Sequence, residues 1–227
     1  MTTRRESVVV SLLGVLSEVY AGKISPLSVV AHYAPKQEQV LQLLACLQKG
    51  YPVGSFLLGQ VAPSADFHAL TKNRLGPALR DDSASHPSVV LSGYGRLAML
   101  AWAFSDAAEG LYLSQEEAPI WGKYRVYYSL EDNAFSFHPA SASLNNRYLP
   151  ARSVFDAKNS NVMMRNLWRT PEWNEFPEDV KEGWARNLER TQEAIRNQVV
   201  QVVTLQGLTG DELEEAYWQV KELNLSA

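Results

Sequence analysis

The sequence predicts an α+β fold, in which a small mixed sheet is flanked by helices and followed by a helical C-terminal part. Apolar residues recur at helical spacing in several segments, most clearly at 36–49 and 177–197. Short apolar or β-branched runs at 55–61 and 199–205 are typical of buried strands. The sequence contains no internal repeat and no low-complexity linker, so we expect these elements to share one domain.

The first half of the sequence alternates helices with short strands. Apolar residues at helical spacing predict a first helix at 7–21, which Gly22 ends. Residues 23–35 are expected to be extended, because Pro26 and Pro35 break a helix. The elements that follow are an amphipathic helix at 36–49, a strand at 55–61, an irregular polar stretch at 62–87 and a strand–turn–helix at 88–104.

The second half begins with a predicted β-hairpin. Residues 124–130 and 134–138 alternate with period two around Glu131-Asp132-Asn133. The predicted elements after it are a loop at 139–160, helices at 161–169 and 177–197, a strand at 199–205 and a last helix that ends near residue 222. We therefore place the core of a single domain, 1–227, at about 1–138 and a helical addition at about 139–227.

Composition and charge exclude several classes of protein. The 227 residues carry a net charge of −4, which predicts no general affinity for nucleic acids or membranes. The single cysteine, Cys46, excludes an internal disulfide framework, and no apolar stretch reaches transmembrane length, so a cytoplasmic location is expected. A secretory signal is the alternative for the N-terminus, but Glu6 and Glu18 beside the apolar run favour a core helix.

One stretch of the sequence is basic and aromatic. Residues 147–170 contain five basic residues and one acidic residue. Four of the basic residues form a candidate nucleic-acid face: Arg152, Lys158, Arg165 and Arg169. Trp168 and Trp173 lie beside Arg169, and aromatic rings between cations suit base stacking with phosphate contact. The alternative is a solvated basic face with tryptophans that pack under a loop.

No residue set in the sequence predicts a catalytic or metal centre. Asp66, His68 and His86 are metal-ligand types, but no matching cluster accompanies them, so we expect no metal site. The adjacent carboxylates Glu116-Glu117 and Glu131-Asp132 point apart in a strand or turn, which makes a general acid–base pair improbable. We therefore assign no catalytic residue.

The segment SVVLSGYGRLAML, residues 88–100, has the strongest pattern of a binding site. A buried strand is followed by a tight turn and an apolar helix, for which Ser92 is expected to be the N-cap. The backbone N–H groups at a helix N-terminus bind anions, and an arginine in the first turn adds a forked cation. The candidate nucleotide- or phosphate-binding residues are Ser92, Gly93, Tyr94, Gly95 and Arg96. The alternative is a purely structural turn.

Several segments, in order, resemble one family. LQKGYPVGSFLL at 47–58 resembles a segment of the GmrSD-type restriction proteins, which are relatives of the ParB nuclease fold, and VVLSGYGRLAML falls where that family has Asp-Gly-Gln-Gln-Arg-Leu-Thr. The hairpin and the C-terminal strand and helix also resemble this family, so the similarity covers nearly the whole chain. The resemblance implies a ParB-like core that binds and hydrolyses a nucleotide, with nuclease residues in a separate C-terminal domain.

Only part of the family's nucleotide motif matches. Gly93 and Arg96 match, whereas Ser92 stands where the family has its acidic residue, and Tyr94 and Gly95 stand where it has two glutamines. An upstream Gln-Arg pair of the family falls on Val30-Ala31, a nearby Trp falls on Pro35, and a downstream Arg-Leu-Asn falls on Gln219-Val220-Lys221. A nucleoside triphosphate with Mg²⁺ is the implied cofactor, and the substitutions indicate that its binding or hydrolysis has been lost or weakened.

The resemblance therefore implies a non-catalytic or weakly active module of a bacterial or phage-related defence system. Such a module acts by binding or regulating a partner, and the implied partners are a nuclease subunit and DNA. No nuclease motif follows the last helix, so we expect the nuclease on another chain or domain. The alternative is an active nucleotide hydrolase, in a DNA-targeting restriction system, whose missing catalytic residues are replaced by others.

Overall fold

The computed structural model describes residues 4–30, 36–71, 75, 87–105, 124–155 and 157–225. The described chain is mixed α+β with a five-stranded sheet flanked by helices, so the predicted fold class is confirmed. It forms two compact units: unit 1 contains residues 1–35, 52–102 and 199–227, and unit 2 contains residues 36–51 and 103–198. The single domain, with its core at about 1–138, stays a prediction.

The helices and strands are numbered in chain order. They are β1 Arg4–Ser11, α1 Leu12–Tyr20, β2 Ile24–Pro26, α2 Gln37–Gln48, β3 Ser55–Val61, α3 Phe67–Leu70, β4 Ser88–Ser92, α4 Tyr94–Ala103, β5 Tyr124–Ser129, β6 Ala134–Pro139, β7 Tyr148–Pro150, α5 Ala151–Phe155, α6 Ala157–Trp168, α7 Pro171–Glu175, α8 Glu178–Arg196, β8 Val199–Leu208 and α9 Gly210–Leu225. None of the helices in the described ranges combines the length and the apolar character needed to span a bilayer.

Unit 1 is built on a mixed sheet with the strand order β1-β8-β3-β4-β2. The pairs β3–β8 and β2–β4 are parallel, and the pairs β1–β8 and β3–β4 are antiparallel. Val89, Val90 and Leu91 of β4 are all buried in succession, which means that both faces of this strand are covered. Leu213 of α9 belongs to the same apolar cluster as Val89 and Leu91, so α9 covers one of these faces.

The prediction of a first helix over residues 7–21 is wrong in its first third. Residues 4–11 form β1, which pairs with β8 from Arg4 opposite Gln206 to Ser11 opposite Val199. Three consecutive β-branched valines weaken a helix and suit a ladder, and here the long-range pairing outweighs the local spacing. The helix begins only at Leu12, where the Ser11 hydroxyl accepts a hydrogen bond from the Gly14 N–H at 3.1 Å.

Unit 2 contains a three-stranded antiparallel sheet with the strand order β6-β5-β7. The predicted hairpin is confirmed: β5 and β6 pair around a turn in which Asn133 has a φ of 51°. Asparagine tolerates this left-handed conformation better than most residues, which explains its place in the turn. Helices α2, α5 and α8 contact one another or this sheet within the unit.

The prediction of a loop over residues 139–160 is wrong in its second half. Residues 148–150 form β7 against β5, residues 151–155 form α5, and α6 begins at Ala157. The sequence here is polar, but Leu149 and Val154 are almost completely buried. Burial of a few apolar side chains against the rest of the unit stabilises short elements that have a weak local pattern.

A polar network, buried at Tyr128 and Thr191 and exposed at Asn133, holds the hairpin turn of unit 2 to two helices. The Tyr128 hydroxyl donates to Asn133 Oδ1 at 2.6 Å, and Gln48 Nε2 donates to the same oxygen at 2.9 Å and to the Asn133 carbonyl at 2.8 Å. Thr191 of α8 donates to the Tyr128 hydroxyl at 3.4 Å. Burial raises the pKa of Tyr128 above its usual value, because the phenolate would lose its hydration.

We predict that Tyr128→Phe lowers the free energy of unfolding by about 1–2 kcal/mol, because it removes the hydroxyl of a buried side chain that donates to Asn133. Chemical denaturation of the two proteins at neutral pH measures this difference. Tyr127→Phe is the matched control: Tyr127 is the next residue of β5, points to the opposite face of the sheet and is only half-buried. An equal loss in both variants would contradict the structural role of the network.

The pKa of Tyr128 adds a dependence on pH to the same prediction. Because the folded-state pKa is raised above the unfolded value of about 10, the contribution of neutral Tyr128 is fully present below that pH. It is lost as the pH rises through the folded-state pKa, since the unfolded chain ionises first. The stability difference between the wild type and Tyr128→Phe therefore narrows above about pH 10, as denaturation curves at several pH values will measure.

Candidate functional site

The five residues of the candidate anion site follow one another where β4 ends and α4 begins. Ser92 is the last residue of β4 and pairs with Leu57 of β3, so the prediction that it is the N-cap of α4 is wrong. Gly93 stands between strand and helix with a φ of +87°, a conformation that a side chain disfavours. A Cβ at Gly93 would also lie 2.6 Å from Cδ1 of Phe56, so only glycine lets this turn close.

Arg96 lies in the first turn of α4, as predicted, and its side chain turns back onto the start of β3. Its Nη2 donates to the carbonyl of Ser55 at 2.9 Å, and its Cζ lies 6.0 Å from the centre of the Phe56 ring. A Cβ at Gly54 would come within 2.9 Å of Arg96 Nη1, so the absence of a side chain there gives the guanidinium its space.

The Nε atom of Arg96 is buried and has no hydrogen-bond partner in the described part of the chain. A buried donor without a partner costs about 1–3 kcal/mol. The first turn of α4 also contains no acidic residue, so the positive end of the helix dipole and the arginine charge stand together. A bound anion would stabilise both the helix N-terminus and the Arg96 side chain, because it would accept hydrogen bonds from them and balance their positive charge.

Two other residues, which stand where the resembling family has nucleotide-site residues, pack in the core of unit 1. Tyr94 is partly buried and packs against the apolar cluster that contains Leu91 and Leu213. Val30 is buried in this cluster, where the resemblance places a glutamine. Ala31 and Pro35 lie outside the described residues, as do His86 and Glu116-Glu117.

The predicted nucleic-acid face is partly brought together at the C-terminal end of α6. Arg165 is exposed three residues before Trp168, which is 51% exposed, so the two share one side of the helix. Arg169 is also exposed, but it follows Trp168 directly, just after the last residue of α6. Arg152 is exposed on a different helix, α5, and Lys158 lies in α6 with its side chain outside the described part. Trp173 does not join this face, because its ring lies 5.9 Å from that of Trp184 and beneath Lys181.

Sequence reasoning missed the partners of Arg96, which are Gly54, Ser55 and Phe56. They belong to the segment KGYPVGSFLL, whose resemblance to a family was the only signal available, and that signal carries no information about contacts. For metals, no three His, Cys, Asp or Glu side chains within the described ranges lie close enough together to hold an ion.

The comparisons with known proteins add no family to this geometry. No protein-family model matches the chain, and no curated protein matches it at a significant level. The resemblance to the GmrSD-type proteins therefore remains an expectation. The proposed function depends on the geometry of the β4–α4 turn.

We predict that Gly93→Ala lowers the free energy of unfolding by about 2–3 kcal/mol, because it adds left-handed strain to a clash with Phe56. Gly207→Ala is the matched control in unit 1: Gly207 has a φ of +71°, but a Cβ there would meet nothing within 4 Å. We expect the control to lose only about 1 kcal/mol. Denaturant titration measures both values, and equal losses would show that Phe56 does not close the turn.

Proposed function

We propose that this protein is a binding module that takes a phosphate group, such as that of a nucleotide, at the turn formed by Ser92–Arg96. The observation that carries this proposal is the buried Nε of Arg96 at the N-terminus of α4, which has no hydrogen-bond partner among the residues that the structure describes. Arg96 Nη2 donates to the Ser55 carbonyl at 2.9 Å, which holds the guanidinium in place beside the turn. A tetrahedral anion with several acceptor oxygens matches such a group together with helix N–H donors.

The same residues argue for binding without efficient hydrolysis. Phosphoryl transfer needs a carboxylate-held metal and a group that orients the attacking water. Ser92 offers no carboxylate, Gly95 offers no side chain, and Val30 is a buried apolar residue. We therefore propose a non-catalytic or weakly active module that acts by binding or regulating a partner.

The biological setting in our proposal comes from the resemblance to the GmrSD-type proteins. It is a bacterial or phage-related defence system, in which this chain would control a nuclease subunit that acts on DNA. The order of the resembling segments along the chain supports this setting, and the nucleotide would be the signal that the module senses.

We predict that ATP, GTP or CTP raises the melting temperature of the wild-type protein. At a nucleotide concentration of about 100 times the dissociation constant, the expected stabilisation is about 2.7 kcal/mol, or about 5–10 °C for a chain of this size. Differential scanning fluorimetry, with and without Mg²⁺, measures the shift. Arg96→Gln should abolish it, whereas Arg152→Gln, which removes an exposed arginine of unit 2, should keep it.

Two outcomes would contradict the proposal in different ways. If none of the three nucleotides shifts the melting temperature, the turn is purely structural. If the protein releases phosphate above background and Arg96→Gln abolishes this release, it is a hydrolase and the alternative function holds. Each variant is compared with its own ligand-free melting temperature, because Arg96 also contributes to folding through Ser55.

A second candidate function is nucleic-acid binding by α6. The observation that favours it is the exposed Trp168 between the exposed Arg165 and Arg169. Stacking of a base on an aromatic ring contributes about 1–3 kcal/mol per base. The two cations would contact phosphates on either side of the stacked base.

We predict that Trp168→Ala weakens binding of a fluorescent single-stranded oligonucleotide by about tenfold at low salt, because one stacked base is lost. Arg165→Glu with Arg169→Glu should abolish binding. Trp218→Ala is the matched control, because Trp218 is 45% exposed on α9 in unit 1. Fluorescence anisotropy measures the affinities, and equal effects of the two tryptophan variants would exclude α6 as the binding face.

A further inference from the structure

Unit 1 contains an apolar groove that the proposed anion site does not use. It lies between α1 and the sheet and has a volume of about 380 Å³, within the range of roughly 300–1,000 Å³ that is usual for small-molecule sites. Its floor is formed by Val8, Val10, Leu58 and Val202. Val8 is 40% exposed, so one apolar wall of the groove faces solvent. None of the residues 92–96 lines it.

A glycine in the first turn of α1 leaves space at the opening of the groove. Gly14 of α1 lines the groove and is exposed, so no side chain fills the opening above the valines. A Cβ at Gly14 would lie 3.1 Å from the Ser11 Oγ that caps α1, so the N-cap favours a glycine at this position. The same absence of a side chain leaves the groove open.

One end of the groove carries two opposite charges whose backbones are held close together. The C-terminus of α1 closes with a Schellman motif, in which Gly22, at a φ of +72°, donates to the Val19 carbonyl and the Lys23 N–H donates to the Glu18 carbonyl at 3.0 Å. This backbone bond holds Glu18 and Lys23 together, and their side chains form an ion pair at 3.2 Å. Both charged residues line the groove, with Ser88 beside them.

We propose that this groove binds a small zwitterion with an apolar tail, the chemical class of an apolar α-amino acid. The tail would lie on the valines and Leu58, the carboxylate would meet Lys23 Nζ, and the ammonium group would meet the Glu18 carboxylate. Both side chains of the pair are about half exposed, and exposed ion pairs contribute little, so the pair opens readily to a ligand of matching charges. A simple anion or cation would meet one attractive and one repulsive charge.

Isothermal titration calorimetry with L-leucine and L-phenylalanine tests the ligand class. We expect saturable binding in the micromolar to millimolar range. The comparison compounds each lack one feature: 4-methylpentanoate lacks the ammonium group, 3-methylbutylamine lacks the carboxylate and glycine lacks the tail. Each should bind at least about tenfold more weakly, because one charge-assisted contact or the apolar contact is lost. Absence of binding by either amino acid, or equal binding of glycine, would overturn the proposal.

Variants test the location. Gly14→Leu would fill the groove and should abolish binding, and its ligand-free stability is measured alongside, because a Cβ there would lie 3.1 Å from the capping Ser11 Oγ. Gly183→Leu is the control for a leucine at a helical glycine, since a Cβ there meets nothing within 4 Å. Val8→Gln, at an exposed wall, tests the groove without relying on the helix. Glu18→Gln and Lys23→Gln should each weaken binding by about tenfold or more. Binding that none of these four groove variants changes would overturn the site, whatever the result for nucleotides.

Discussion

Unit 1 depends on the close approach of other elements to the backbone of β3. At Gly59 a side chain would collide with Leu213 of α9 and Leu91 of β4, so both helix and strand pack directly on the main chain. At the β4–α4 turn a side chain of β3 approaches the backbone of another element: Phe56 occupies the space that a side chain at Gly93 would need. Interiors packed at this density fix neighbouring elements with little freedom, and the start of α4 is placed in this way.

In unit 2, hydrogen bonds rather than close apolar packing fix the position of a turn. Its hairpin turn is left-handed at Asn133, and the strained residue is held by hydrogen bonds from Tyr128 and Gln48 rather than by apolar contact. The buried hydroxyls of Tyr128 and Thr191 find partners in this network, in which the Asn133 amide oxygen accepts from two donors. The network therefore specifies one position of the turn relative to α2 and α8.

Arg96 makes one structural contact, and its Nε atom has no hydrogen-bond partner in the described chain. Its bond to the Ser55 carbonyl and its place above Phe56 explain why an arginine stands at the positive end of a helix, where a cation is disfavoured. The unpaired Nε leaves a binding function open to the same side chain. The groove beneath α1 differs in kind, because apolar area dominates it and the paired Glu18 and Lys23 supply both signs of charge.

The local sequence pattern alone determined those features whose residues lie close together in the sequence. They are the strand at 55–61, the hairpin turn at Asn133, the helix at 178–196 and the place of Arg96 in a first helical turn. Tertiary structure decided the rest. Residues 4–11 are a strand because they pair with β8, to which Ser7 is bonded across 194 residues, and Arg96 is anchored by a carbonyl 41 residues away. Local propensities are weak, so long-range pairing and burial outweigh them. Long-range pairing and burial cannot be inferred from the spacing of residues that are near one another in the sequence.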